Sequence, residues 1–283
     1  MEHETITVLA VEPGKKPYVQ EIPNGLESLQ REVSGDIQAV YPYDDLIAII
    51  AAESGKLMGM PFNRALRDED GHIYDVLVGK FLIVGLGEDK FTSIPDELIQ
   101  KYTQVFETPE QFVKIGEKNY ILPAKDDTAV YLHTAAYARE HNELPQYRES
   151  LQANIACKEA IEKAVGENYH GWSADIKTAA AQVMAQFPVE RIRYVLAATV
   201  QQKDWDGRIS DDNKAWAKTI PVADEQNRYY FVVDQCHSGL TDLFVKRFRE
   251  ETEKKQSLME KLAEPTPKKP PVPKKPKSKG QEL

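Results

Sequence analysis

The sequence has little of what usually announces a function. It holds two cysteines in 283 residues, Cys157 and Cys236, too few for a disulfide framework. With His170 and His237 they show none of the paired ligand spacings of zinc sites. Both read as reduced thiols, Cys157 as a small buried side chain among Ile155, Ala156, Ala160 and Ile161. The longest apolar run, Leu46 to Ala52, falls far short of the roughly 20 residues that cross a bilayer. The opening residues are acidic and lack an apolar stretch ending in small residues, so no export signal is read there. A cytoplasmic protein without membrane contact is expected.

Catalytic signatures are equally sparse. Gly55-Lys56 has no upstream glycine with which to build a phosphate loop. Gly85-Leu86-Gly87 follows a strand pattern, but Lys90 stands where a dinucleotide-binding loop needs its third glycine. If Gly207 of Asp204-Trp205-Asp206-Gly207 were the sixth position of a calcium loop, the first and twelfth would be Gln202 and Asn213, neither a carboxylate. Cys236 and His237 are adjacent, and neighbours in sequence rarely face each other as nucleophile and base. No catalytic residue, cofactor or metal ligand is assigned.

What is present is an ordinary globular composition, 41% hydrophobic and 29% charged, at a length that suits two domains of roughly 100 to 200 residues each. Charge is uneven. Residues 1–127 carry 12 basic and 23 acidic side chains, residues 128–263 carry 18 and 20, and residues 264–283 carry six lysines against two glutamates. Affinity for nucleic acid phosphates rises with the cations that displace counterions, so only the lysine-rich tail favours such a partner.

The periodicity changes along the chain. Short β-rich runs at Thr7–Val11, Ile37–Tyr41, up to Val76 and at Phe81–Val84 alternate with a short amphipathic helix carrying Leu26, Leu29 and Val33. Leu46 to Met60 reads as a hairpin around Glu53-Ser54-Gly55-Lys56. Ser93 with Asp96, and Thr108 with Gln111, read as helix starts. Beyond Thr128 helical periods dominate: a long one through Tyr147, Leu151, Ile155, Ile161 and Val165, then 174–187, 189–201 and one from Leu240. Tyr229–Val233 reads as an isolated strand. The fold expected is α+β: an acidic, small mixed α/β-sheet domain over 1–115, a linker over 116–127, an all-helical domain over 128–263, and a disordered lysine-proline tail over 264–283.

Two polar-aromatic stretches are candidate partner-binding sites. One is Phe62, Asn63 and Arg64. The other is Trp205, Asp206, Arg208 and Asn213, where Gly207 allows a turn that would set Arg208 beside Trp205, while Trp216 packs between helices.

The segments EIPNGLESLQ, ESGKLMGMPFNRAL and GKFLIVG resemble a domain of unknown function common in phages and conjugative elements. YRESLQANIACKEAIEKAV, YVLAATVQQKDWDGRISDDNKAWA and GLTDLFVKRFRE resemble a second such domain, found with the first in mobile elements of gut Gram-positive bacteria. The resemblance implies cargo of a mobile genetic element in a bacterial cytoplasm, and it implies no catalytic residue. An accessory protein that binds another protein is the leading expectation. An anti-defence protein whose acidic domain mimics DNA, and an enzyme with a site assembled from distant residues, are the alternatives.

Overall fold

A computed structural model describes residues 4–223 and 227–263; the tail beyond 263 lies outside the described residues. The front part is built on an antiparallel sheet in the order β2-β1-β7-β4-β3, with β8 paired to β7. Its strands are β1 (Thr5–Val11), β2 (Tyr18–Pro23), β3 (Ile37–Val40), β4 (Ile47–Ala52), β7 (Phe81–Leu86) and β8 (Phe91–Thr92). Strands β5 (Phe62–Arg67) and β6 (Ile73–Val78) form a separate hairpin, as do β9 (Glu110–Ile115) and β10 (Lys118–Pro123).

Side chains alternate across a strand, so each central strand feeds two cores. Ile6, Val8, Ala10, Ile50, Leu82 and Val84 pack with Leu29 and Val33 of α1 (Leu26–Val33). Leu9, Val11, Ile49, Phe81 and Ile83 pack on the other face with Tyr102 and Phe106, at the end of α2 (Asp96–Val105), and with Leu66 and Leu77 of the β5–β6 hairpin. Because both faces are covered, β4 is buried at every position and reads as a continuous apolar run. The same burial explains a correction: β4 does not form a hairpin with β5. Its edges are taken by β3 and β7, and the chain turns through 53–59 to pair β5 with β6 instead.

Glycines 85 and 87 also find their reason here. A Cβ at Gly85 would lie 2.4 Å from the Ser93 carbonyl oxygen, and one at Gly87 2.9 Å from that of Lys90. They permit the close β7–β8 turn.

The helix start read at Thr108 is a strand. Gln111, Phe112, Val113 and Lys114 pair with β10, and Gly116, at φ +62°, opens the two-residue turn between them. Strand β2 escaped the sequence reading because only Ile22 of its six residues is buried, which leaves no alternation to see.

The rest is helical: α3 (Ala135–Glu140), α4 (Leu144–Glu167), α5 (Ile176–Gln186), α6 (Val189–Gln202), α7 (Asp211–Lys218) and α8 (Ser238–Ala263). Helix α6 runs through the middle, with Ile192, Val195, Leu196, Ala198 and Val200 buried. Pro188 precedes it as the residue that ends one helix and opens the next. Tyr229–Val233 is not a strand: Arg228–Phe231 is a 3-10 turn that lays Phe231 against Tyr194 at a ring separation of 5.6 Å. The two parts touch through the β9–β10 hairpin. Gln111 Nε2 donates to the Ala185 carbonyl at 3.0 Å, and the Asp126 N–H to that of Gln186 at 2.7 Å.

Candidate partner-binding groove

Helix α4 is 24 residues long, about 36 Å at the α-helical rise, and its last turns stand beside the start of α8. Between them lies an open groove of about 710 Å³, floored by Val165 and Leu240 and bordered by Glu162, Tyr169, Cys236 and Leu243. The approach to α8 is held by one carboxylate. Glu162 is buried and accepts the N–H groups of Asp234 and Gln235 at 2.7 and 3.0 Å. Lys158 spans it and Asp234, at 3.7 and 3.0 Å. Burial, with the nearby Glu162 charge adding to it, pushes the Cys236 thiol up to about 11. A thiol so shifted is held in its protonated, unreactive form at neutral pH. His237 faces away from it in role: the Gly239 N–H donates to its Nδ1 at 3.1 Å, and Arg208 Nη1 lies 3.2 Å from Nε2.

The other border is a short ordered turn between α4 and α5. Tyr169 and Ala174 bridge, the His170 N–H donates to the Ser173 carbonyl at 2.8 Å, and Gly171 takes φ +71°. Asp175 then caps α5, accepting from the Thr178 N–H at 3.0 Å. The turn carries Trp172 at its tip with the indole fully exposed, and Tyr169 and Leu243 beside the groove are about half exposed. Sequence reasoning missed all three. The glycine-tipped turn His170-Gly171-Trp172 between two helical periods was a usable signal for Trp172. Leu243 lay inside an apolar helical series and so read as core.

The residues expected at the second stretch divide. Trp205 is 80% exposed, as expected. Asp206 and Asn213 are buried and hold the fold. Asn213 Nδ2 donates to the Asp242 carbonyl at 3.1 Å, while its Oδ1 accepts from Arg249 Nη1 at 2.6 Å. Arg208 does not lie over Trp205. Asp206, two residues away, captures its guanidinium through Nε at 2.9 Å and Nη2 at 2.6 Å, and takes its backbone N–H at 3.0 Å. The cation and indole that do meet are Arg249 and Trp216, 5.7 Å apart. Arg208 thereby joins the 203–210 turn to His237 on the groove's border.

That fork, then the Arg208 N–H and the Ser238 side chain, hold the Asp206 carboxyl far below the usual carboxylate range. A depressed folded-state pKa contributes stability above the unfolded value of about 3.9 and loses it as pH falls through the folded value. In urea titrations between about pH 2 and 5, wild type is therefore expected to gain stability with pH more steeply than Arg208→Ala. Equal slopes would show that the fork does not carry this linkage.

The first stretch is largely a staple of the sheet. Phe62 is exposed and packs on Phe112 at 4.8 Å. Asn63 and Arg64 are buried, which removes them from a contact surface. Asn63 Nδ2 donates to the carbonyls of Val11 and Gly79 at 2.9 and 2.6 Å. Arg64 donates to those of Phe106 and Lys15 at 3.0 and 2.7 Å, tying β5 to the end of α2 and to the β1–β2 turn. Asp68, Asp70 and His72, in the β5–β6 turn, place ligand-capable atoms within 4.8 Å of one another, all three exposed. We assign them no role.

Residues 6–107 match the model of a domain of unknown function (DUF3846), and residues 130–253 match that of a protein of unknown function (DUF3849). The chain is a two-domain protein that joins them. No curated protein and no solved structure matches it. The groove, Trp172 and the Asp206–Arg208–His237 link all fall in the DUF3849 region, and the buried Asn63–Arg64 staple falls in the DUF3846 region. The β9–β10 hairpin lies between the two matches. No helix among the described residues is long and apolar enough to cross a membrane.

Proposed function

We propose that the chain is a non-enzymatic accessory protein of a mobile genetic element, acting in a bacterial cytoplasm by binding another protein through the α4–α8 groove. The observation that carries this reading is the exposure of Tyr169 and Leu243 in the lining of one groove, with Trp172 fully exposed three residues beyond Tyr169. Large apolar side chains gathered on one surface leave apolar area in water unless something covers them. The turn that carries Trp172 is fixed by its own backbone hydrogen bonds, so little backbone entropy is lost when the indole docks. Aromatic anchors beside a pocket are what carry most of the energy in protein interfaces.

The test is capture from host lysate by the full-length chain, followed by mass spectrometry and affinity measurement on the species found. Trp172→Ala or Leu243→Asp is expected to weaken capture by about 2 kcal/mol, roughly 30-fold in affinity. Both positions are exposed, so their folding stability should change by no more than about 0.5 kcal/mol. Capture that survives both changes would place the interface elsewhere.

DNA mimicry by the acidic domain draws less support. Glu4, Glu12, Glu32, Asp45 and Asp75 each pair with a lysine rather than standing free as phosphate substitutes would.

A further inference from the structure

A second groove, in the DUF3846 region, differs in kind from the first. The start of α1, Ile37 of β3, Tyr41 and the β7–β8 turn enclose about 450 Å³. Its apolar surface is Leu26, Leu86, Phe91 and Tyr41, with Leu26 and Tyr41 more than half exposed. Its rim is acidic. Glu88 and Asp89 stand at the tip of the β7–β8 turn, which the Gly87 N–H closes onto the Lys90 carbonyl at 2.9 Å, and Glu27 follows Leu26 on α1. These three carboxylates are exposed and form no ion pair or hydrogen bond among the described residues. Lys90, the neighbouring cation, is drawn away to Glu4 at 2.7 Å. An aromatic and aliphatic surface with a free acidic rim suits an extended, cationic, apolar-faced peptide.

The chain carries a segment of that composition. Prolines occupy positions 267, 270, 273 and 276, a repeat of three. A polyproline II helix has three residues per turn, so this spacing puts all four prolines on one face. The other two faces take Lys268, Lys274 and Lys277, and Lys269 and Lys275. Such a helix makes no internal hydrogen bonds and is pre-set by its prolines, so little ordering entropy is lost when it docks on aromatic rings.

We propose that residues 267–276 of this chain bind as a polyproline II helix in the groove between α1 and the β7–β8 turn. The proline face lies on Tyr41, Leu26 and Phe91, and the flanking lysines meet Glu27, Glu88 and Asp89. The contact joins one end of the chain to the other, within one molecule or between two. The α4–α8 groove is the poorer match, because its buried Glu162 is already engaged by backbone N–H groups and Lys158.

Zero-length carbodiimide cross-linking of the full-length chain tests this, because it joins only lysines and carboxylates already in contact. Tail lysines are expected to link preferentially to Glu27, Glu88 and Asp89 over exposed acids elsewhere, such as Glu53 and Glu117. Mixing isotopically heavy and light chains tells contact within one molecule from contact between two. The tail variant Pro270→Ser with Pro273→Ser keeps every charge and leaves the sequence of the described residues unchanged, and it is expected to lose the preference, as is Tyr41→Ser. Cross-links spread evenly over the exposed acids, or a preference that survives the proline changes, would overturn the proposal.

Discussion

Replacing Arg191 by leucine is expected to destabilise the protein by about 3 to 5 kcal/mol, the range found when one member of a buried ion pair is removed. Arg191 is fully buried on α6. Its guanidinium donates to the carbonyls of Thr128, Ala129 and Ser150 at 2.7, 3.1 and 3.1 Å, and to Asn154 Oδ1. Its Nε lies 3.2 Å from the Asp126 carboxylate. Burial pulls the guanidinium pKa down and the Asp126 charge opposes that shift, so the cation stands in the bundle because its partners surround it. Leucine would fill part of the volume but leave these acceptors without a donor, each costing about 1 to 3 kcal/mol where water cannot reach. Since the cage gathers the segment 126–131 onto α4 and α6, the variant should also be cut sooner by protease between 124 and 134. Urea unfolding measures the first effect, and a loss below about 1 kcal/mol would be the response of an ordinary surface site.

The second large effect is expected at Arg64. Its substitution by methionine keeps much of the apolar stem but removes the donors to Phe106 and Lys15, as well as the bond to Asn63 Oδ1 at 2.9 Å. A loss of about 3 kcal/mol follows from two buried acceptors and one part-buried acceptor left open. Asn63→Ala should act in the same direction, because it frees the carbonyls of Val11 and Gly79 and unseats the β5–β6 hairpin from the sheet. Neither change should alter capture at the α4–α8 groove when measured well below the unfolding transition. Stability retained together with capture lost would restore this stretch as a contact surface.

These two sites show why residue type alone misleads. An arginine beside an aromatic is as suited to an interface as to a staple, and Arg64 became a staple because β5 lies across the ends of α2 and the β1–β2 turn. Asp206 and Arg208 were read as contact residues, with Arg208 expected beside Trp205. Their partners were not legible, since a carboxylate two residues away outcompetes an indole for a guanidinium once the turn is tight. Trp172 was visible in the sequence as a tryptophan beside a glycine, but nothing local says that its ring has no neighbour.

Local order settled much of the molecule. Helical periods of three and four marked α1, α4, α5, α6 and α8, and apolar runs marked β1, β4 and β7, while the shift between the two patterns was read as a linker over 116–127, where β10 stands. These are properties of contiguous residues, because a periodic apolar face needs only one element to show itself. Tertiary structure alone decided the pairing of β5 with β6, the strand character of β2 and β9, the burial of Asn63, Arg64, Asp206 and Asn213, and the groove between α4 and α8. Each of those depends on residues far apart in the chain competing for the same edge, donor or surface, and the outcome is set by which contact buries or satisfies more once the elements are packed.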